Sequence, residues 1–466
     1  MDAGPAMTDV VVVLPGILGS TLEKNGTPVW APSLGAVAEM IRTFGRAIPD
    51  LRLPSGIGDE HPGDGVEAIA LMPDIHILPG IWTSHLGYDL MLGWLRSAFG
   101  LVDASRDDPD RIPNLLPVPY DWRLSNRYNG RLLKGIVEPV LERWRSQGPA
   151  FADSKLTFIC HSMGGLVARW FIEKEGGAAI TNRLITLGTP YRGALRSLDQ
   201  LVNGVHKGVG PFTIDLTGFA RSLPSTYQLL PEYACIETPG GLQKIAETQV
   251  PDLDTAMAAD ALRFHDEMDD AAATHPIDMY TLHPFVGTRQ RTVTTARIAG
   301  GRVEVVDTIE GKDEGGDATV PRLSAAPKAV DPDSNILRWP ADKHGSLQSN
   351  KGVFDEISGV LTANPVHHRG LKPDEIRVDI DELFTSGEPL ALAVEAERDL
   401  LLDAIVTDEA GVQVARAELP VAGGVARASL EPMAPGAYVV TVAGAEHFRS
   451  AVAPVTSTVL VWGALP

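Results

Sequence analysis

The sequence predicts a chain in two parts: an α/β region built on a parallel sheet, then an all-β sandwich of the Ig-like kind. Three observations carry that prediction. From Val10 to about Thr362, short apolar runs of strand length alternate with stretches of helical periodicity, the pattern of a sheet with crossover helices. From about Pro365 the helical periodicity stops, and seven short β-rich segments follow, separated by Gly, Pro, Asp and Glu turns. The composition is also globular, with 44% hydrophobic and 21% charged residues in a chain of 466, which suits two or three compact units.

Each element rests on its own pattern. Val10–Leu14 and Leu156–Cys160 are apolar runs of strand length, each followed by a Gly-bearing turn, Leu184–Leu187 is a third such run, and Asn335–Trp339 fits a late strand. Leu133, Val137, Val140, Leu141 and Trp144 fall on one helical face, as do Leu166, Val167, Trp170 and Phe171. Residues 191–277 begin Gly-rich and turn polar and acidic, with Asp252, Asp254, Asp260, Asp266, Glu267, Asp269 and Asp270. That texture between two core strands predicts an inserted cap. The sandwich strands are expected at Val378–Ile380, Leu390–Val394, Leu401–Val406, Val412–Ala415, Val425–Leu430, Tyr438–Val442 and Thr456–Val461. Residues 371–466 hold 15 acids against 6 bases. The predicted domains are therefore 1–364, with the cap at about 191–277, and 365–466. Pro365 and His367-His368-Arg369-Gly370 read as a linker, so a chain ending near residue 364 is expected to fold and to keep close to its full rate on small substrates.

Charge narrows the function. Lys and Arg number 40 against 60 Asp and Glu, a formal net charge of −20. Such an excess excludes a sequence-blind nucleic-acid binder, which displaces phosphate counterions with cations. It also disfavours docking on anionic membranes and leaves transient contact with a neutral lipid surface as the membrane expectation. Two cysteines, Cys160 and Cys235, supply neither a disulfide framework nor a cysteine zinc site. The N-terminal segment lacks the basic start of a signal peptide, and Val10–Leu14 is too short for its apolar core, so a cytoplasmic location is expected. There is no P-loop, no G-x-G-x-x-G after a strand and no H-E-x-x-H, so no cofactor and no metal are predicted.

The chemistry is concentrated at one turn. The strand Leu156–Cys160 runs directly into His161-Ser162-Met163-Gly164-Gly165, and an amphipathic helix follows at once. A strand-to-helix turn of this kind lifts a serine hydroxyl above a sheet as a nucleophile, with glycine two residues later where a side chain would collide. The position two before the serine, commonly glycine, is Cys160, a small residue the turn can tolerate. A serine needs a base, and the base an orienting acid, in the chain order Ser, acid, His. Of the later histidines, His344 in Ala341-Asp-Lys-His-Gly-Ser-Leu347 has the right setting, after an apolar run and before a helix-like segment. Asp317, in the Gly-rich loop Glu314-Gly-Gly-Asp-Ala-Thr-Val-Pro321, is the first candidate acid, with Asp313 and Glu314 as competitors. For the oxyanion, the Met163 amide lies at a helix N-terminus, and Pro15-Gly16 turns the chain so as to present the Ile17 amide. A Pro-Gly turn alone would carry no such assignment.

Together these segments resemble the lecithin:cholesterol acyltransferase-like branch of the α/β-hydrolases, which includes lysosomal phospholipases and phospholipid:diacylglycerol acyltransferases. The resemblance rests on Leu14-Pro-Gly-Ile-Leu-Gly-Ser20 with Leu22-Glu23, Tyr120-Asp-Trp-Arg123, His161-Ser-Met-Gly-Gly165 and Ile185-Thr-Leu-Gly-Thr-Pro-Tyr-Arg-Gly193. It continues through Arg221-Ser-Leu-Pro-Ser225, Leu229-Leu-Pro231, Gly316-Asp-Ala-Thr-Val-Pro321 and His344. It implies an α/β-hydrolase fold over roughly residues 10–360, with Ser162 as nucleophile, Asp317 as acid, His344 as base, and Ile17 and Met163 as oxyanion donors. The chain departs from the family at Cys160, in having no cysteine between Val29 and Ile75 for the family's disulfide-bearing membrane-contact loop, and in its C-terminal sandwich. Tyr120-Asp-Trp-Arg123 is expected to brace the sheet rather than to touch substrate. The apolar residues of Val209–Leu230, among them Phe212, Phe219, Leu223 and Tyr227, suit the underside of a cap over an acyl pocket.

The expected activity is hydrolysis of carboxylic esters, acyl esters or lipids, through an acyl-enzyme on Ser162. An acyltransferase passing the acyl group to an alcohol shares the same site. A catalytically silent fold whose acidic sandwich binds a partner is the rival of a different class.

Overall fold

In the computed structural model the described residues are 7–31, 51–73, 78–79, 84–85, 87–104, 108, 110–207, 214–276, 279–363, 373–446 and 451–462. The central sheet has five strands: β1 (Val10–Leu14), β2 (Leu115–Pro117), β3 (Leu156–His161), β4 (Thr181–Leu187) and β5 (Thr281–Phe285), in the order β5-β4-β3-β1-β2. All pairings are parallel, Val10 lying opposite Leu156 and Leu14 opposite Cys160.

Alternation along the strands builds two cores. Val10, Val12, Leu14, Phe158 and Cys160 face helices α2 (Asn126–Arg145) and α3 (Gly164–Lys174), numbered after α1 (Asp89–Phe99). Val11, Val13, Ile159, Ile185 and Leu187 face α1 and the last helix of this region, Lys351–Thr362. A parallel sheet covered on both faces has no solvent side, which is why β1 reads as an unbroken apolar run and β3 as a largely apolar one. The predicted face of α2 is the buried one, and Ser125 caps the helix by accepting from the Arg127 N–H.

Two strands were not legible. β2 is three residues long and ends in proline. β5 contains Pro284, which reads against a strand, yet the Pro284 carbonyl faces away from β4 and accepts from the Arg338 N–H, so the missing N–H falls on the side that has no full strand partner. Asn335–Trp339 is not a strand. Its pairing reduces to a single bridge between Arg338 and Phe285, because Ser334–Leu337 closes a turn just before it.

Between β4 and β5 the chain makes a long excursion containing α4 (Leu195–Asn203) and α5 (Thr255–Ala272). A four-stranded sheet joins Ile236–Thr238 and Gly241–Gln243 to Thr295–Ala299 and Arg302–Val306, so residues beyond 277 complete the excursion's own core. The apolar residues expected beneath a cap are instead core: Leu216, Phe219 and Leu223 join the main cluster, and Phe219 meets Trp122 edge-on at 6.2 Å. Val209 and Phe212 lie outside the described residues.

The C-terminal part is β throughout: β6 (Ile376–Ile380), β7 (Leu383–Thr385), β8 (Leu390–Ala396), β9 (Leu400–Asp408), β10 (Gln413–Val421), β11 (Val425–Leu430), β12 (Gly436–Gly444) and β13 (Val455–Trp462). Sheets β6-β8-β11 and β7-β13-β12-β9-β10 share one core of Val378, Leu392, Val394, Val406, Val440 and Val459, among others. The seven predicted strands are present, and β7, only three residues long, joins them alongside β13. The predicted boundary at 364/365 and the linker histidines lie outside the described residues. Among the described residues no helix is long and apolar enough to cross a membrane, and no group of three or more His, Cys, Asp or Glu is placed to hold a metal ion.

Candidate active site

Ser162 sits at the end of β3, where the chain reverses into α3. Its φ is 51°, a left-handed conformation that a serine adopts only when its surroundings compel it. The compulsion is visible. The Ser162 N–H donates to Leu187 O at 2.9 Å, and the Ser162 carbonyl accepts from the Gly165 N–H and from Thr189 Oγ1 at 2.8 Å. Gly164 makes the turn possible, since a Cβ there would lie 2.4 Å from the Pro15 carbonyl oxygen. Cys160, in place of the usual glycine, is fully buried within β3, and burial pushes its thiol well above the ordinary range, so it packs as a neutral side chain.

The structure brings together the three side chains that the sequence nominated. His344 Nε2 lies 2.8 Å from Ser162 Oγ, and His344 Nδ1 lies 2.7 Å from Asp317 Oδ2. The other carboxylate oxygen, Oδ1, accepts from the backbone N–H groups of Thr319 (3.0 Å) and Val320 (2.7 Å). The His344 N–H donates to Asp317 O at 2.7 Å, so the two loops are bonded through both backbone and side chain. Asp317 is completely buried and His344 nearly so. Gly188, φ 60°, leaves room for the pair: a Cβ there would approach Asp317 Oδ2 to 2.6 Å and His344 Nδ1 to 2.9 Å. The competing acids turn elsewhere, Asp313 to Arg377 (2.6 Å) and Glu314 to Lys312 (2.6 Å). His265 bonds Gln228 O, and His275 faces Glu173, both away from Ser162. His367, His368 and His447 lie outside the described residues.

The Pro15-Gly16-Ile17 turn packs against the serine, with a Cβ on Gly16 falling 2.9 Å from Ser162 Cβ. Among the described residues neither the Ile17 nor the Met163 amide donates to a protein acceptor, which leaves both N–H groups for an incoming oxygen. Tyr120-Asp-Trp-Arg123, expected to brace the sheet, is bonded to this turn and to Ser20 just after it. Tyr120 O–H donates to Pro15 O (2.9 Å), the Tyr120 N–H donates to Ser20 Oγ, and Trp122 Nε1–H donates to Ser20 O. Arg123, with no exposed surface, bonds Asp121 and Asp64.

Sequence reasoning missed two residues beside the site. The Gly16 N–H donates to Tyr88 Oη (2.8 Å), Tyr88 lies 2.9 Å from His161 Nδ1, and His161 Nε2 lies 2.9 Å from His344 O. A carbonyl only accepts, so His161 carries its proton on Nε2, and its Nδ1 accepts a hydrogen bond from the Tyr88 hydroxyl. The pair links the turn at Gly16 to the backbone of His344. His161 stood in the turn motif without an assigned role; Tyr88 lies in no motif.

Comparisons with known proteins bear on the family resemblance and the fold. A family model described as "Lecithin:cholesterol acyltransferase" matches residues 110–281, which span the Tyr120-Asp-Trp-Arg123, Ser162 and Ile185–Gly193 motifs. No curated protein matches the chain. Among solved structures, a chain of the Tle4–Tli4 complex aligns over 76% of this chain and 98% of its own, at 14% identity and a TM-score of 0.50. The propeptide form of the lipase BlEst2 from Bacillus licheniformis aligns over 99% of this chain and 94% of its own, at 13% identity and a TM-score of 0.35. The resemblance read from the motifs and the α/β-hydrolase-like fold with its C-terminal β-sheets both stand.

Proposed function

We propose that this chain is a serine hydrolase that cleaves carboxylic esters of acyl or lipid substrates through an acyl-enzyme on Ser162. One observation carries the reading: a serine held at positive φ on a strand-to-helix turn, its hydroxyl 2.8 Å from an imidazole whose far nitrogen meets a buried carboxylate. Serine is a weak nucleophile unless a base removes its proton as it attacks. His344 Nε2 takes that proton, and the Asp317 carboxylate keeps Nδ1 protonated and stabilises the imidazolium. The Ile17 and Met163 amides donate to the oxyanion of the tetrahedral intermediate. His344 then returns the proton to the leaving alcohol, and water repeats the sequence to free the acid.

The family match over residues 110–281 favours a second reading of the same site, transfer of the acyl group to an alcohol in place of water. Both readings share every residue through the acyl-enzyme and part only at the acceptor. The test is a chain-length series of p-nitrophenyl esters, with and without added alcohol, alongside labelling by a fluorophosphonate. Labelling lost in Ser162→Ala, with turnover of esters, is the expected result. Acyl-alcohol product in place of free acid would select the transferase, and a wild-type chain that neither labels nor turns over ester would sink both.

A further inference from the structure

The loops bearing Asp317 and His344 are each bonded to the C-terminal sandwich. Gln290 is 1% exposed. Its backbone N–H donates to Gly316 O, next to Asp317, and its carbonyl accepts from Thr292 Oγ1, which in turn accepts from the Ala318 N–H. Gln290 and Thr292 thus hold both flanks of Asp317, including Ala318 at a φ of 75°. The Gln290 carboxamide reaches further. Nε2 donates to Ala341 O (2.6 Å), on the segment leading to His344, and to Ile376 O (3.0 Å) in β6, while Oε1 accepts from the Val378 N–H (3.1 Å). One buried residue therefore joins the acid loop through its backbone, and the base loop and the sandwich through its side chain.

A second tie lies on β13. Thr456 directs its N–H to Asp342 Oδ1 (2.8 Å), and its carbonyl accepts from Ser346 Oγ (3.2 Å). Asp342 and Ser346 stand two residues to either side of His344. Asp342 is 2% exposed, and its other oxygen accepts from Asn350 Nδ2 (2.7 Å). The pairing of β13 with β7 covers only Leu383–Thr385 against Leu460–Trp462, so at Thr456 that edge of the strand is saturated by the His344 loop instead. The crevice left between the two parts, bordered by Asp317, His344, Ser346, Glu382 and Thr456, holds about 20 Å³.

Resting on the assignment of His344 as the base, we propose that the sandwich is a working part of the acid–base apparatus. β6 through Gln290, and β13 through Asp342 and Ser346, hold the Asp317–His344 pair in register with Ser162, which makes Gln290 and Asp342 positioning residues. The physical reason is that neither loop belongs to the central sheet. Around Asp317 the backbone makes only isolated bridges, and His344 opens a 3₁₀ turn. A reacting group displaced by about 1 Å costs on the order of 10²-fold in rate, so loops of this kind need external anchors. This runs against the expectation that a chain cut near residue 364 keeps its full rate.

The test uses the full-length chain. Thr456→Pro deletes the N–H that bonds Asp342, at an edge position where the ladder does not use it, while Thr456→Ala keeps both backbone groups. Gln290→Ala removes the other tie. The readouts are kcat and KM for a short p-nitrophenyl ester, per site titrated with fluorophosphonate, and the downfield proton resonance of the His344 Nδ1–H bonded to Asp317. The expected result is a fall in kcat on the order of 10²-fold at nearly unchanged KM, with the resonance broadened or lost, in Thr456→Pro and Gln290→Ala and not in Thr456→Ala. If Gln290→Ala does not fold, Thr456→Pro decides. Folded variants with wild-type kcat per site and an intact resonance overturn the proposal. A wild-type chain that never labels would instead count against the hydrolase reading, and the resonance would still report whether β13 holds the pair.

Discussion

Replacing Asp317 by asparagine isolates the electrostatic part of the proposed mechanism, because the structure dictates how the new amide must sit. Asp317 Oδ1 accepts from two backbone N–H groups, Thr319 at 3.0 Å and Val320 at 2.7 Å. Two donors cannot face an NH2 group, and leaving them unsatisfied in a buried site costs about 1–3 kcal/mol each. The asparagine oxygen therefore takes the Oδ1 position and the NH2 group points at His344 Nδ1. That nitrogen must then accept, which moves the imidazole proton to Nε2, where it can no longer take the Ser162 proton. The enzyme keeps its shape and holds the wrong tautomer. Serine-protease precedent for this error is a loss on the order of 10⁴ in kcat, or ~5.4 kcal/mol at about 1.36 kcal/mol per factor of ten. The assay is kcat on a soluble p-nitrophenyl ester, with thermal unfolding to verify the fold. A folded Asp317→Asn enzyme retaining a tenth or more of the rate would refute the reasoning. So would an equal loss in Asp313→Asn, whose carboxylate faces Arg377.

Three further outcomes are expected. Ser162→Ala and His344→Ala should each abolish ester turnover, and the double variant should be little worse than either, because the two act as a unit; strictly additive losses would show that they do not. Ile17→Pro deletes a proposed oxyanion donor and should lower kcat about 10²–10³-fold, whereas Ile17→Ala should lose stability, its side chain being buried, and little kcat; equal kcat losses would point to packing. Burial, together with the charges of Arg338 and Arg183, pushes His283 down to about 4, while an unfolded histidine titrates near ~6.5. The unfolded chain therefore binds the extra proton in that window, so stability is full above about pH 6.5 and declines as the pH falls toward about 4. Urea midpoints from pH 7 to 4 should fall less in His283→Gln than in wild type, and parallel curves would clear His283 of the effect.

The sequence alone determined whatever depends on neighbours along the chain. Apolar runs marked β1, β3 and the Leu184–Leu187 end of β4, because strands buried on both faces show little polar alternation. The serine turn was legible since its strand, its small residues and its helix are contiguous from Leu156 to Phe171. Helix faces followed from periodicity, and the sandwich from its turns. Edge elements were not legible: β2 is too short and β5 contains a proline that only an edge position explains. Asp317 stood ahead of Asp313 and Glu314 from its motif alone, and the fold added the geometry: of the three, Asp317 is the one bonded to His344, while Asp313 meets Arg377 and Glu314 meets Lys312. Tyr88 became visible only through its bonds to Gly16 and His161, 72 and 73 residues away. The role of Gln290 and Thr456 is of the same kind. Their polar groups find partners between the α/β part and the C-terminal β part, and hydrogen bonds between segments so distant in sequence leave no periodic trace, since they are fixed by where the two cores come to rest.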